Sequence, residues 1–302
     1  MAKGKHKTLE IGQEAALARF FSSTLIRELA HKGWSPLANR LIDEIQLFKF
    51  ISPKISYREF FEWAFHILRK SYRHEYIYVN AIAEKILLGI HSLNTSCMLT
   101  EFRAGQCKAD VVLLNGTATV YEVKSARDNL DRLGKQLNAY ADVFDYIQII
   151  TDENHVPHLE KYLPAHVGIL LLTNRYQVHT YRDAQSRIKL VKPAVIFESL
   201  RRKEYVSILK KHFSEIPSVP NTQIHGVCKE LFSQLSPKTA HEAMVLELKK
   251  RKQCKKVCDF IISMPKSLKA AALSIQLSQA EQDKFSNLLN EEIGKNIRSH
   301  HA

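Results

Sequence analysis

The sequence predicts an α/β protein in which a mixed sheet lies between two helical regions, and three observations carry that prediction. Apolar residues up to about Phe65 recur at helical spacing, as in Leu25 and Leu29, then Leu37, Leu41, Ile42 and Ile45. Between Tyr78 and Tyr181 the period switches repeatedly between that of a strand and that of a helix. After Lys192-Pro193 helical spacing returns, punctuated by Pro217, Pro220, Pro237 and Pro265.

Taken in order, the first region (1–75) is helical, and Ser35-Pro36 reads as a helix start with Pro at its first position. The central region (76–192) alternates. A helix near 78–91 precedes three apolar strands near 97–103, 108–114 and 118–124, with Asn115-Gly116 as a turn signal between the last two. A helix near 127–143, a strand near 145–151, a helix near 155–163 and strands near 166–172 and 176–181 complete it. The last region (193–302) is a second helical part. No internal repeat or low-complexity segment interrupts this order.

Composition narrows the function classes. With 302 residues, 45% of them hydrophobic, the chain can bury a substantial core. Five irregularly spaced cysteines argue against a disulfide framework and for a reducing compartment. The opening MAKGKHKTLEIGQEAALARF lacks an apolar signal region, and no run approaches the roughly 18 apolar residues of a membrane span, so a soluble cytoplasmic protein is expected. A formal charge of +13 favours polyanionic partners. Only ten glycines are present, none in a GxGxxG or GxxxxGK arrangement, which removes support for nucleotide loops. No GxSxG elbow supports acyl transfer.

The chemistry concentrates in ADVVLLNGTATVYEVK, residues 109–124. Alternation sends Glu122 and Lys124 to one face of their strand and Tyr121 and Val123 to the other. Asp110 opens the neighbouring strand, and loop parity decides whether it meets Glu122. A two-residue Asn115-Gly116 turn sets the carboxylates on opposite faces, whereas a three-residue loop or a bulge brings them together. Two such carboxylates suit a hard divalent ion, Mg²⁺ or Mn²⁺, able to polarise a phosphodiester and activate water, and a nearby Lys can orient that water or stabilise charge on phosphorus.

Asp110, an eleven-residue gap and Glu122-Val123-Lys124 resemble the D…ExK signature of the PD-(D/E)XK nucleases, a superfamily that includes restriction endonucleases, junction resolvases and RecB-type exonucleases. The predicted order of helix, three-stranded meander, helix and strand is similar to that superfamily's restriction-endonuclease-like core. Gln136 and Tyr140, at i and i+4 in KQLNAYADVF, resemble the QxxxY element of RecB-like members, which contacts DNA or supports the site. The segments RELAHKGWSP, HSLNTSCMLTEFRAGQCKADVVLLNGTATVYEVKSARDNLDRL and VPNTQIHGVCKELF are similar to an uncharacterised bacterial, prophage-associated nuclease-like family. Ala109 stands where the superfamily name has Pro.

The resemblance implies a metal-dependent nuclease acting on DNA before RNA, in phage defence or mobile-element biology. Asp110, Glu122, the Val123 carbonyl and Glu84 of the preceding helix would hold Mg²⁺ or Mn²⁺, with Glu101 the rival third carboxylate, and Lys124 would position water. Gln136 and Tyr140 would line the DNA side. The same resemblance allows a non-cleaving nucleic-acid-binding or scaffold subunit, or an RNA-cleaving toxin, and leaves a homodimer or a protein partner open.

The remaining constellations are weaker. Arg103, Lys108 and Lys135 read equally as phosphate contacts or as a solvated face, as does the run Lys249–Lys256. Cys254 and Cys258 stand at i and i+4 without a zinc-spaced partner. His155, His158 and His166 flank the fourth strand in no hydrolase or zinc spacing and read as loop or capping residues.

Overall fold

A computed structural model describes residues 9–125, 128–215, 218–251 and 255–298. Along the chain the helices α1 (Ile11–Ala18), α2 (Ser23–Lys32), α3 (Pro36–Ile45), α4 (Tyr57–Ser71) and α5 (Glu75–Ala81) come first. A π-helical stretch, Ile82–Leu87, and α6 (Leu88–Ile90) follow. The strands and helices β1 (Cys97–Ala104), β2 (Cys107–Asn115), β3 (Thr117–Lys124), α7 (Leu133–Ala141), β4 (Tyr146–Thr151), α8 (Val156–Tyr162), β5 (Gly168–Leu172) and β6 (Val178–Arg182) make up the alternating part. The chain closes with α9 (Pro193–Glu198), α10 (Arg202–His212), α11 (Ile224–Ser233), α12 (Pro237–Lys249), α13 (Lys255–Ser263), α14 (Lys269–Ser274), α15 (Gln279–Leu288) and α16 (Ile293–Arg298). Among the described residues no helix is long and apolar enough to cross a membrane.

Ser22, Ser35, Ser56, Ser236 and Ser278 each accept the N–H three residues on and so start α2, α3, α4, α12 and α15. Ser35 does so with Pro36 at the first helical position, as its sequence predicts. The expected helix over 127–143 begins only at Leu133. Its predicted first residue, Arg127, is outside the described residues, and just beyond it Asp128 accepts both the backbone N–H and the hydroxyl of Ser125. Short polar side chains there satisfy the backbone in a non-helical form.

Contacts divide the chain into two compact units. One joins residues up to Asn80 with those from Lys256 onward, and the other spans Ala81–Lys255. The helical residues after Pro193 therefore divide between the two. In the first unit an aromatic core forms, with Phe20 edge-on to Phe60 at 4.8 Å and Phe21 against Phe61 and Phe65. Its two chain segments are sewn together by the buried Asn80, whose amide donates to the Lys266 carbonyl and accepts from the Ala270 N–H.

The second unit is built on a six-stranded mixed sheet in the order β1-β2-β3-β4-β5-β6. β1, β2 and β3 form an antiparallel meander, β3, β4 and β5 run parallel, and β6 returns antiparallel to β5. One face packs against helices through Val112, Leu114, Val120, Ile147 and Ile149, which share a single core with residues of α7 to α12 such as Leu137, Leu159, Phe197, Ile208, Phe232 and Met244. Residues 193–249 thus contribute to the sheet's own core. β4 and β5 approach closely at Gly168, where an added Cβ would lie 2.1 Å from Gln148 Oε1.

Candidate active site

The hairpin between β2 and β3 resolves the question of parity. Asn115 pairs with Thr117 and Leu114 with Ala118, leaving Gly116 at the tip with φ +72°. That left-handed angle suits glycine. Val112 pairs with Val120 in the core under α7, so Glu122 and Lys124, two and four residues beyond Val120, project to the face covered by α7. The β2–β3 ladder stops at Val111↔Tyr121, and Asp110 then spans the fork: its Oδ2 accepts the Val123 N–H at 2.8 Å. A side chain takes the place of a ladder bond, which ties Asp110 to the ExK strand.

Glu122 is 1% exposed and Lys124 8%. Burying charges is costly unless they are paired and fully hydrogen-bonded, and both conditions hold. Lys124 Nζ donates to Glu122 Oε1 at 2.8 Å. Gln136 Nε2 donates to the same oxygen at 2.5 Å, while Gln136 Oε1 accepts from Lys124 Nζ at 3.2 Å. Tyr140 O–H donates to Glu122 Oε2 at 2.7 Å; the Lys108 carbonyl is also near, at 3.1 Å, but the single phenol proton goes to the closer, charged oxygen. Burial, then the Glu122 charge and hydrogen bond, then Asp110 and Cys107, push the Tyr140 phenol well above its ordinary range, so it stays a neutral donor.

The structure therefore brings together Asp110, Glu122, Val123, Lys124, Gln136 and Tyr140. It revises one expected role. Tyr140 is fully buried and supports Glu122 from beneath, so it does not line an outer surface; α7 packs flat on the sheet and turns residue 140 into the core. The two candidates for a third carboxylate are engaged elsewhere. Glu84, on the π-helical stretch, pairs with Lys85 at 2.8 Å. Glu101 has a side chain 73% exposed, paired with Lys108 at 2.7 Å, and its φ of +52° breaks the alternation of β1. Among the described residues no group of three or more His, Cys, Asp or Glu is placed to hold a metal ion.

The donor chemistry of what does converge suits a hard ion: two carboxylates and a main-chain carbonyl at the fork. Mg²⁺ commonly binds through one or two carboxylates and completes its shell with water and phosphate, so a dedicated protein cage is not required.

The outlying candidates fall elsewhere. Arg103 and Lys135 are exposed. Arg251, in the basic run, forms a bidentate pair with Glu204 at 2.6 and 2.7 Å and lies over the Phe102 ring, so it braces the core. Burial raises the Glu204 carboxyl, but the Arg251 hydrogen bonds and the Arg201 N–H outweigh it and hold the group below its ordinary range. Lys252 and Cys254 lie outside the described residues, and with Cys254 the proposed Cys254/Cys258 pair. Thr151 and His155, at the end of β4, were assigned no role from spacing, yet they lie beside Lys124. Only the β3–β4 register reveals this.

Comparison with known proteins gives the lineage. The family model described as Bacteriophage P4 protein cII matches residues 68–291, well over half of the chain. The chain belongs to the bacteriophage P4 protein cII family. Protein cII of Enterobacteria phage P4 is 24% identical over 152 residues, which cover 48% of this chain and 54% of that protein. The chain thus spans about half the length of the curated relative it matches. A solved structure titled SPO1766 protein of unknown function from Silicibacter pomeroyi overlaps 46% of this chain and 92% of its own, with 19% identity and a TM-score of 0.31.

Proposed function

We propose that the unit spanning residues 81–255 is a restriction-endonuclease-like domain of the PD-(D/E)XK type, a Mg²⁺- or Mn²⁺-dependent nuclease acting on DNA in preference to RNA in the cytoplasm. The observation that supports this reading is the convergence at a fork between two strands of Asp110, bonded to the Val123 N–H, and the Glu122–Lys124 pair, braced by Gln136 and Tyr140. Asp110, Glu122 and the Val123 carbonyl would hold the ion. When bound, the ion would polarise the phosphodiester and lower the pKa of a water molecule.

The chain's own groups do the rest. Tyr140 and Gln136 orient Glu122 through hydrogen bonds to its two oxygens. Lys124 would present its ammonium to the phosphate and the attacking water. A net charge of +13 attracts the backbone polyanion through counterion release, so binding weakens steeply with salt. Membership in a family named for a phage protein supports a role in phage defence or mobile-element biology.

A second reading has its own support: Glu122 is already satisfied by Lys124, Gln136 and Tyr140, as in a nucleic-acid-binding or scaffold subunit that does not cleave. Cleavage of plasmid, linear and branched DNA with Mg²⁺ or Mn²⁺ separates the two. The wild type should cut, and Asp110→Asn and Lys124→Gln should not. Equal cutting by both variants would remove the site, and binding in EDTA with no cutting under either ion would favour the scaffold.

A further inference from the structure

β4 lies parallel to β3 with Thr151 in register with Lys124. Residues paired across a sheet project to the same face from strands about 4.8 Å apart, so the Thr151 side chain stands beside that of Lys124 on the face carrying Glu122. Thr151 is fully buried, and its hydroxyl donates to the Lys124 carbonyl at 2.7 Å. His155 Nδ1 lies 3.3 Å from the same hydroxyl oxygen.

These distances fix the proton on the ring. A threonine hydroxyl has one hydrogen, and the nearer acceptor, the Lys124 carbonyl, takes it. The oxygen can then only accept from His155, so Nδ1 carries the hydrogen. A neutral imidazole protonated at Nδ1 has its lone pair on Nε2. The short 3₁₀ turn Glu153–His155, started by Asp152 accepting the Asn154 N–H at 2.9 Å, brings the partly buried ring back over the end of β4.

Resting on the nuclease reading, we infer that His155 is the general base of the phosphodiester hydrolysis and that Thr151 is the positioning residue that fixes its tautomer. Nε2 takes a proton from the attacking water as the water oxygen bonds to phosphorus and the bond from phosphorus to the leaving oxygen breaks. The leaving alkoxide takes a proton from solvent water, and the imidazolium gives its proton back to solvent. Water and diester become monoester and alcohol, and the histidine ends as it began. Lys124 on β3 and His155 on the turn after β4 would then flank one phosphate, with the Thr151 hydroxyl bridging the two through the Lys124 carbonyl and the His155 ring.

Two measurements on the full chain test this. In protein labelled with ¹⁵N-histidine, with the His155 signals assigned by their loss in His155→Gln, the ring should show the Nδ1–H tautomer. Thr151→Val should abolish that preference and Thr151→Ser should restore it. An Nε2–H ring in the wild type, or no change in Thr151→Val, overturns the positioning role. In plasmid cleavage with Mg²⁺, His155→Gln should lower kcat on the order of 100-fold with KM unchanged. If the wild type cuts, Lys124→Gln does not, and His155→Gln cuts within about threefold of wild type, the base assignment fails while the nuclease reading stands. A wild type that cuts nothing overturns both.

Discussion

His241 offers a quantitative test of the sheet's core. It lies on α12, fully buried, and neither ring nitrogen has a hydrogen-bond partner. Burial drives its pKa from 6.5 down to about 4, against an opposing pull from Asp145 and Glu242. Between those two values the unfolded chain holds a proton that the folded chain excludes, so stability rises with pH through this window and is complete above it. The full effect is about 3 kcal/mol, of which roughly 2 kcal/mol is lost by about pH 5. His241→Leu removes the titration without breaking a hydrogen bond, and its stability should fall less than the wild type's as pH is lowered. Both tryptophans, Trp34 and Trp63, belong to the other unit, so fluorescence would report on the wrong part of the chain. Hydrogen exchange of the β3 and β4 amides, compared between the two proteins at each pH, reads the opening of this core directly. A wild-type-minus-variant difference that does not move between about pH 8 and pH 5 would refute the reasoning.

Three further outcomes are expected. Tyr140→Phe leaves Glu122 Oε2 buried without its donor and should cost about 2 kcal/mol in the same exchange measurement; a loss under about 0.5 kcal/mol would mean the bond contributes nothing net. Lys124→Ala strands the Glu122 carboxylate at 1% exposure and should destabilise the unit by about 3–5 kcal/mol, largely recovered in a Lys124→Met/Glu122→Leu double variant read by thermal unfolding. Gly168→Ala sets a Cβ 2.1 Å from Gln148 Oε1 and 2.7 Å from the Ala184 nitrogen, so about 1–3 kcal/mol should be lost and β4–β5 protection should fall with it; unchanged protection would deny the close approach.

Much of the sheet was legible because its pattern is local. Val111 to Leu114 form an apolar run and Ala118, Val120, Tyr121 and Val123 a largely apolar one on the other side of Asn115-Gly116, and the strands follow them closely. What the pattern left open was the register of the hairpin, which Gly116 at the tip sets, and the fork beyond Val111, where the Asp110 carboxylate meets the Val123 N–H. Gln136 and Tyr140 were readable as one helical face, but their shared acceptor lies on another element, so their role as donors to Glu122 was not. Distance in sequence hid other partners in the same way. Arg251 reads as one of a row of cations until Glu204, far earlier in the chain, is seen to hold it. Thr151 and His155 carry no motif and gain meaning only through a strand pairing. Conversely, Glu101 is a carboxylate on the first strand by sequence, but its backbone leaves the strand conformation at φ +52° and its side chain is exposed and paired with Lys108.

The discontinuous helical unit has a consequence for how the protein is made. Its first eighty residues leave the ribosome before the segment that completes them, and the Asn80 amide must wait for Lys266 and Ala270. The intervening residues 81–255 have their own core and are free to mature during that interval. Nascent chains halted shortly after residue 255 would then carry a finished sheet beside an incomplete, chaperone-accessible helical partner.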